Sequence, residues 1–294
     1  KVLQRAVTQI LEKLYEPIFH PHSFGYRPSR GAHHALELLR RRLMRSGGGM
    51  IIEMDIEGFF DNLDKQHLRE FLRQRMGDGV LQRLINKWLK AGVMEAGKLH
   101  YPEKGSPQGG VISPLLANVY LHYVLDTWFE GQVKPRLLGS GCMIRFADDA
   151  VLLTQNDRDA QRVMDVLPKR FDRYGLRLHP EKTCVTVLKP QEKSSVDFLG
   201  FTHFWGKSRH GQWTLKRKTM KSRFARGIKL IQKWCRENRH QPLSQQYAAL
   251  CRKIRGHNAY YGLSGNLMAL KRYRFCVERV WVKWLKRRSR KQIL

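Results

Sequence analysis

The sequence predicts an α+β fold, helices packed on a mostly antiparallel sheet, followed by a basic helical module. Two runs, Cys142-Met143-Ile144-Arg145-Phe146-Ala147 and Ala150-Val151-Leu152-Leu153, flank Asp148-Asp149 and read as strand, tight turn, strand. A third apolar run, Met50-Ile51-Ile52-Glu53-Met54, ends at Asp55 and reads as a neighbouring strand. Elsewhere the apolar residues recur mainly at helical spacing.

The elements follow in chain order. Val2, Leu3, Ala6, Val7, Ile10, Leu11 and Leu14 keep a helical period that Pro17 and Pro21 break. A second helix runs from His33 to Met44, and Ser46-Gly47-Gly48-Gly49 is a turn into a strand over 50–56. Helices follow at 64–76 and 79–91, and the loop Gly105-Ser106-Pro107-Gln108-Gly109-Gly110 leads into a helix over about 113–130. The aspartate hairpin covers 142–154, a helix covers 158–174, and a strand covers 183–188. Val196-Asp197-Phe198-Leu199-Gly200-Phe201 opens a short hairpin that ends near Trp213. Three helices close the chain, at roughly 216–238, 243–261 and 265–290. There is no internal repeat.

With 42% hydrophobic and 27% charged residues, the chain of 294 residues is globular and long enough for two or three domains. Its net charge of +30 calls for a polyanionic partner, nucleic acid first and an anionic membrane second. No apolar run reaches the roughly 18 residues of a membrane span, and no signal-peptide pattern opens the chain. Charge is segregated. From Gly206 to Leu294 there are 25 Lys and Arg against Glu237 and Glu278, a net +23 of the total, which predicts a boundary near residue 206. The five cysteines are scattered without a Cys-x-x-Cys pair, so buried free thiols and a reducing cytosol are expected rather than disulfides or zinc. The chain opens at Lys1 inside a helical pattern, which predicts further residues upstream.

An Asp-Asp pair alone is commonly a solvated turn. Company at defined spacing changes its meaning. Three carboxylates delivered by neighbouring strands, Asp55, Asp148 and Asp149, form an all-oxygen donor set suited to two Mg²⁺ ions, the arrangement used for in-line phosphoryl transfer. Around them stand Ser23-Phe24-Gly25-Tyr26-Arg27-Pro28-Ser29-Arg30, Asp55-Ile56-Glu57-Gly58-Phe59-Phe60-Asp61, Ser106-Pro107-Gln108-Gly109, His179-Pro180-Glu181-Lys182-Thr183, Phe198-Leu199-Gly200-Phe201 and Arg255-Gly256-His257-Asn258-Ala259-Tyr260-Tyr261-Gly262. This ordered set resembles the reverse transcriptase family over essentially the whole chain, and within it the group II intron reverse transcriptases/maturases. The turn reads Phe-Ala-Asp-Asp where Tyr-Ala-Asp-Asp is commoner in that family. Set against that resemblance, the family's N-terminal extension and the beginning of its fingers are expected to be absent here, as is any C-terminal DNA-binding or zinc-containing endonuclease region.

The resemblance implies a right-hand polymerase: partial fingers over 1–49, a ferredoxin-like palm with an antiparallel sheet over 50–205, and a three-helix thumb/maturase domain over 206–294. It implies that Asp55 and Asp148 bridge two Mg²⁺ ions, that Asp149 supports them, and that Ile56 offers its backbone carbonyl. Arg27 and Arg30 would grip the triphosphate, as guanidinium geometry suits phosphate oxygens. Phe60 would exclude a ribose 2′-hydroxyl, Gln108 and Gly109 would contact the incoming dNTP, and Lys182 would lie by the pyrophosphate. Phe198, Leu199 and Gly200 would hold the primer end. The implied partners are an RNA template, a DNA primer, dNTPs and group II intron RNA, with no membrane, in a bacterial cytosol or an organelle. The basic C-terminal region suits contact with A-form duplex through shape and backbone, while Tyr260 and Tyr261 read as core packing before base stacking. Other readings stay open: a splicing maturase with secondary polymerase activity, a CRISPR-associated or otherwise domesticated reverse transcriptase, and an RNA-dependent RNA polymerase sharing the palm.

Overall fold

The computed structural model describes residues 1–90, 93–95, 98–100 and 110–288. They form two compact units, Lys1–Ser194 and Ser195–Leu294. The first opens with helices α1 (Val2–Tyr15) and α2 (Ala32–Ser46). Gly47, left-handed at φ 68°, caps α2, a conformation that glycine adopts without steric cost. Strand β1 (Gly49–Met54) follows at once, then α3 (Phe59–Asn62), α4 (Lys65–Arg73), α5 (Gly79–Lys90) and the short paired strands β2 (Val93–Glu95) and β3 (Lys98–His100). Helix α4 starts at Asp64, whose carboxylate accepts from the Gln66 and His67 amides.

Helix α6 (Ser113–Leu121) is shorter than the expected 113–130 element, because the chain continues as wider π turns at His122–Asp126 and Phe129–Val133. The hairpin β4 (Cys142–Phe146) and β5 (Asp149–Thr154), helix α7 (Asp157–Asp172) and β6 (Cys184–Leu188) complete the unit. The sheet order is β4-β5-β1-β6, antiparallel throughout. β1 is central, which explains why its residues are apolar on both faces rather than alternating. Met50, Ile52 and Met54 join the core built by α1, α4, α6 and α7, where Leu11, Leu68, Val119 and Phe171 are buried, and Ile51 is buried on the opposite face. Residues 1–49 and the sheet thus share one compact unit.

The second unit begins with a three-stranded antiparallel sheet, β7 (Val196–Phe198), β8 (Phe201–Lys207) and β9 (Trp213–Thr219). The compact units divide at Ser194 while the charge shift comes near 206, since β7 and β8 pair with β9 rather than with the first sheet. One expectation is corrected here. Residues 216–219 are strand rather than helix: Leu215, Arg217 and Thr219 alternate onto a buried face and the segment pairs with β8, a period of two hidden within a run of lysines and arginines. Helices α8 (Lys221–Glu237), α9 (Leu243–Tyr261) and α10 (Leu267–Leu285) follow. Their core holds Ile231, Cys235, Leu250, Tyr273, Val277 and Trp284. Trp281 donates its indole N–H to Gln246 Oε1 at 2.9 Å. All five cysteines are free thiols. No helix among the described residues is long and apolar enough to cross a membrane.

Candidate active site

Strand register brings the carboxylates together. Met54 pairs with Ala150, so the next residues outward, Asp55 and Asp149, lie side by side at one end of the sheet. Phe146 pairs with Asp149, leaving Ala147-Asp148 as a two-residue hairpin loop. Ala147 sits at φ 57°, in the left-handed region an alanine rarely takes. Burial, reinforced by the neighbouring Asp55 charge, pushes the Asp148 carboxyl up, although its own backbone N–H opposes the shift.

Residues 177–182 are laced onto the segment after β1. The Glu57 amide donates to Arg177 O at 2.9 Å and the His179 amide to Asp55 O at 2.8 Å. These bonds engage the carbonyl of Asp55 and the amide of Glu57, not the carbonyl of Ile56, whose side chain is buried and which pairs with Leu178 as an isolated bridge. The turn after His179 then carries Lys182 back, and its Nζ lies 2.8 Å from Asp55 Oδ2. That bond, with Asp149 and Glu181 nearby, pushes the exposed Lys182 ammonium up.

The three aspartates reach one end of the sheet, but the side chains do not form a closed ligand set: among the described residues no three His, Cys, Asp or Glu side chains are gathered as a metal cage. The physical reason is at hand. Like charges repel, and the Asp55 carboxylate turns to the Lys182 ammonium. The donors are nonetheless all oxygen, as a hard divalent cation requires, and Asp148 is a carboxylate whose charge is unfavourable without a cation partner. The residues present fit such an ion.

A strap from the N-terminal region holds the turn. The Phe24 amide donates to Arg145 O at 2.9 Å and the Arg145 amide to His22 O at 3.0 Å. Gly25 is packed so closely that a Cβ there would stand 2.3 Å from Ala147 N. Tyr26, next along, is 53% exposed at φ 55°. Burial first, then the Asp148 and Asp149 charges, push its phenol up.

Beneath the strap lies a polar network among buried residues. Arg145 Nε and Nη2 donate to Asp126 Oδ1 and Oδ2 at 2.8 and 2.6 Å. Its Nη1 donates to Asn118 Oδ1 and to the Ala147 carbonyl, both at 3.0 Å. Asn118 Nδ2 donates to Gly25 O at 2.7 Å. Burial alone would push the Asp126 carboxyl up, yet the Arg145 guanidinium holds it well below the usual carboxylate range. Sequence reading passed over this network. The available signal was an arginine at the fourth position of an otherwise apolar strand, which demands a buried partner.

The other expected residues divide. Arg27 is buried: its Nε and Nη2 pair with Glu16, and its Nη1 donates to His20 O and Ser23 O, so it braces the strap. Arg30 is partly exposed, donates to Pro21 O at 2.6 Å and lies over the Phe24 ring. Phe60 is partly buried on α3, edge-on to Phe59 with centroids 5.2 Å apart. Gln108 and Gly109 lie outside the described residues. Phe198, Leu199 and Gly200 belong to the second unit. There Leu199 and Gly200 form a two-residue loop with φ 47° and 79°, and Tyr260 Oη donates to Leu199 O at 2.9 Å. Tyr260 and Tyr261 both pack on Phe201.

A central antiparallel sheet with paired aspartates at a hairpin tip and a third at the neighbouring strand end defines a palm-type polymerase fold. Solved structures share it: telomerase from Candida albicans in complex with a TWJ fragment of telomeric RNA aligns over 97% of this chain and 50% of its own, with TM-score 0.55 at 15% identity. Residues 1–203 match the family described as "Reverse transcriptase (RNA-dependent DNA polymerase)", and the chain belongs to that family. It is 44% identical over 122 residues to the group II intron-encoded protein LtrA of Lactococcus lactis subsp. cremoris, covering 42% of this chain and 20% of that protein. It is 30% identical over 249 residues to protein YkfC of Escherichia coli K12, covering 72% of this chain and 62% of that protein. These alignments span a fifth to about three fifths of the relatives' own lengths.

Proposed function

We propose that this chain is an RNA-directed DNA polymerase of the group II intron type, extending a DNA primer on an RNA template. The observation that carries the reading is the meeting of Asp55 with the Asp148-Asp149 turn at one end of the sheet, in a chain of the reverse transcriptase family. Asp55, Asp148 and the Ile56 carbonyl would hold two Mg²⁺ ions, with Asp149 in support. When bound, such ions lower the pKa of the primer 3′-hydroxyl and neutralise the departing pyrophosphate. Lys182 would deliver a proton or a positive charge to that pyrophosphate, a reading supported by its hydrogen bond to Asp55. Phe60 gates the sugar, Arg30 and Gln108 meet the nucleotide, Gly109 lets the backbone approach it, and Phe198-Leu199-Gly200 bears on the primer. In this division residues 1–49 are partial fingers, 50–205 palm and 206–294 thumb.

The cationic surface supports a second, concurrent role in binding intron RNA and aiding its splicing. Lys221, Arg223, Arg226, Lys229 and Lys233 line the exposed side of α8, and acids are nearly absent beyond residue 206. Phosphate contact explains that imbalance better than solubility does. Primer extension on an RNA template with dNTPs or NTPs tests the first role. Extension with dNTPs alone is expected, with Phe60→Ala admitting NTPs; no extension by the wild-type chain at any Mg²⁺ concentration would reject the polymerase. Salt-dependent binding to group II intron RNA, tested against a duplex of equal length, checks the second.

A further inference from the structure

The Arg145–Asp126 pair poses a physical question. Both side chains are about 1% exposed, and removing two charges from water is so costly that apolar residues of similar volume often serve stability as well or better. What apolar filler cannot supply is direction. A guanidinium presents its donors in a rigid plane. Here that plane fixes three acceptors at once: the Asp126 carboxylate at the π turn after α6, the Asn118 amide oxygen on α6, and the carbonyl of Ala147. The last is the informative one. The Ala147 carbonyl belongs to the peptide linking Ala147 to Asp148, so whatever holds that oxygen also sets where the Asp148 Cα lies.

The backbone at this point needs holding. Ala147 is in the left-handed region, which persists only where its surroundings over-determine it. Asn118 extends the restraint to the other side of the turn, since its amide nitrogen holds Gly25 O while its oxygen accepts from Arg145. Turn and strap are therefore referenced to a single buried group. π turns of the kind that carries Asp126 are themselves enriched at functional sites.

We propose that Arg145, Asp126 and Asn118 are positioning residues for nucleotidyl transfer: they fix the Ala147–Asp148 peptide against the Gly25 strap and so set the Asp148 carboxylate relative to Asp55. The inference rests on the polymerase reading of the same site. Residues that orient ligands from behind typically change metal affinity or activity by about 10- to 100-fold when removed.

The test is the double variant Arg145→Met/Asp126→Leu, with Arg145→Lys as a second protein that keeps the charge but loses the fork. Thermal unfolding is followed with and without Mg²⁺, and primer extension is resolved into kcat, KM for primer–template and the Mg²⁺ midpoint. The double variant is expected to unfold within a few degrees of wild type without Mg²⁺, while kcat falls roughly 10- to 100-fold. The Mg²⁺ midpoint, read from both activity and Mg²⁺-induced stabilisation, should rise by about tenfold, with KM for primer–template unchanged. Arg145→Lys should fall between the two. A folded double variant with wild-type kcat and midpoint overturns the proposal; if it does not fold, a folded Arg145→Lys protein with an unmoved midpoint does so. A wild-type chain that never extends primers removes the polymerase reading instead, and the Mg²⁺-induced stabilisation still compares the variants.

Discussion

Two hairpins in this molecule make the same backbone demand and meet it differently. Ala147-Asp148 joins β4 to β5, and Leu199-Gly200 joins β7 to β8; each is a two-residue loop whose first residue is a non-glycine in the left-handed region. At Leu199 the second position is a glycine, and one tyrosine hydroxyl secures the carbonyl. At Ala147 the second position is an aspartate, and the restraint comes from Arg145, Asn118 and the close approach of Gly25. A loop that only turns the chain can rely on glycine, whereas one that must present an acid relies on buried polar scaffolding.

The largest effect expected is from Asp148→Asn. On the proposed role of Asp148, primer extension should fall by roughly 10³-fold or more, the size expected when a central catalytic group is removed. The same change should stabilise the protein in Mg²⁺-free buffer at neutral pH. The sign follows from the raised carboxyl: its charged form is disfavoured by burial and by Asp55, so the stability it contributes is greatest when protonated and declines as pH rises through its titration. A neutral amide escapes that decline. A rise of about 2–4 °C in melting temperature in EDTA is expected, and an unchanged or lower value would show that Asp148 carries no such strain.

Next is Gly25→Ala. The added methyl would collide with the backbone nitrogen of Ala147, which cannot swing aside as a side chain could, so turn or strap must shift. About 1–3 kcal/mol of stability and on the order of 10²-fold in kcat should be lost, measured by urea unfolding and single-nucleotide incorporation. Gly200→Ala is the matched change in the other hairpin, with φ 79° and the Tyr261 hydroxyl 3.0 Å from the new carbon. It should cost about 1–2 kcal/mol in stability. Because the flexible end of a tyrosine can give way, kcat should fall far less than for Gly25→Ala; equal losses would erase the distinction between the loops. The smallest effect is from Tyr260→Phe, which removes one hydrogen bond to Leu199 O, worth about 1 kcal/mol in thermal or urea unfolding.

Much of this architecture was legible in the chain. Strands β1, β4 and β5 are apolar runs ending at acids, and the alternative of solvated turns lost ground because the acids recur at matching strand ends. What escaped reading were partnerships across long stretches of sequence. Glu16 precedes Arg27 in another segment, and nothing local announces that the two pair. Arg145 needs Asp126 and Asn118, which come from a segment that reads as one ordinary helix because nothing local announces a π turn. Lys216 and Lys218 mask the alternation of Leu215, Arg217 and Thr219, because a run of cations carries no hydrophobic phase. Pairing along the backbone is local information; the company a buried charge keeps is not.

The guanidinium buried behind β4 has one more consequence, for how the chain finds its shape. β4 and β5 are apolar on both faces, and such strands discriminate poorly between correct pairing and a slip by one residue. A slip would turn the Arg145 side chain to the opposite face of the sheet, stranding a cation in hydrocarbon with its acid left behind, a penalty that a greasy hairpin cannot absorb. One expensive residue thereby favours a single pairing register over its one-residue slips.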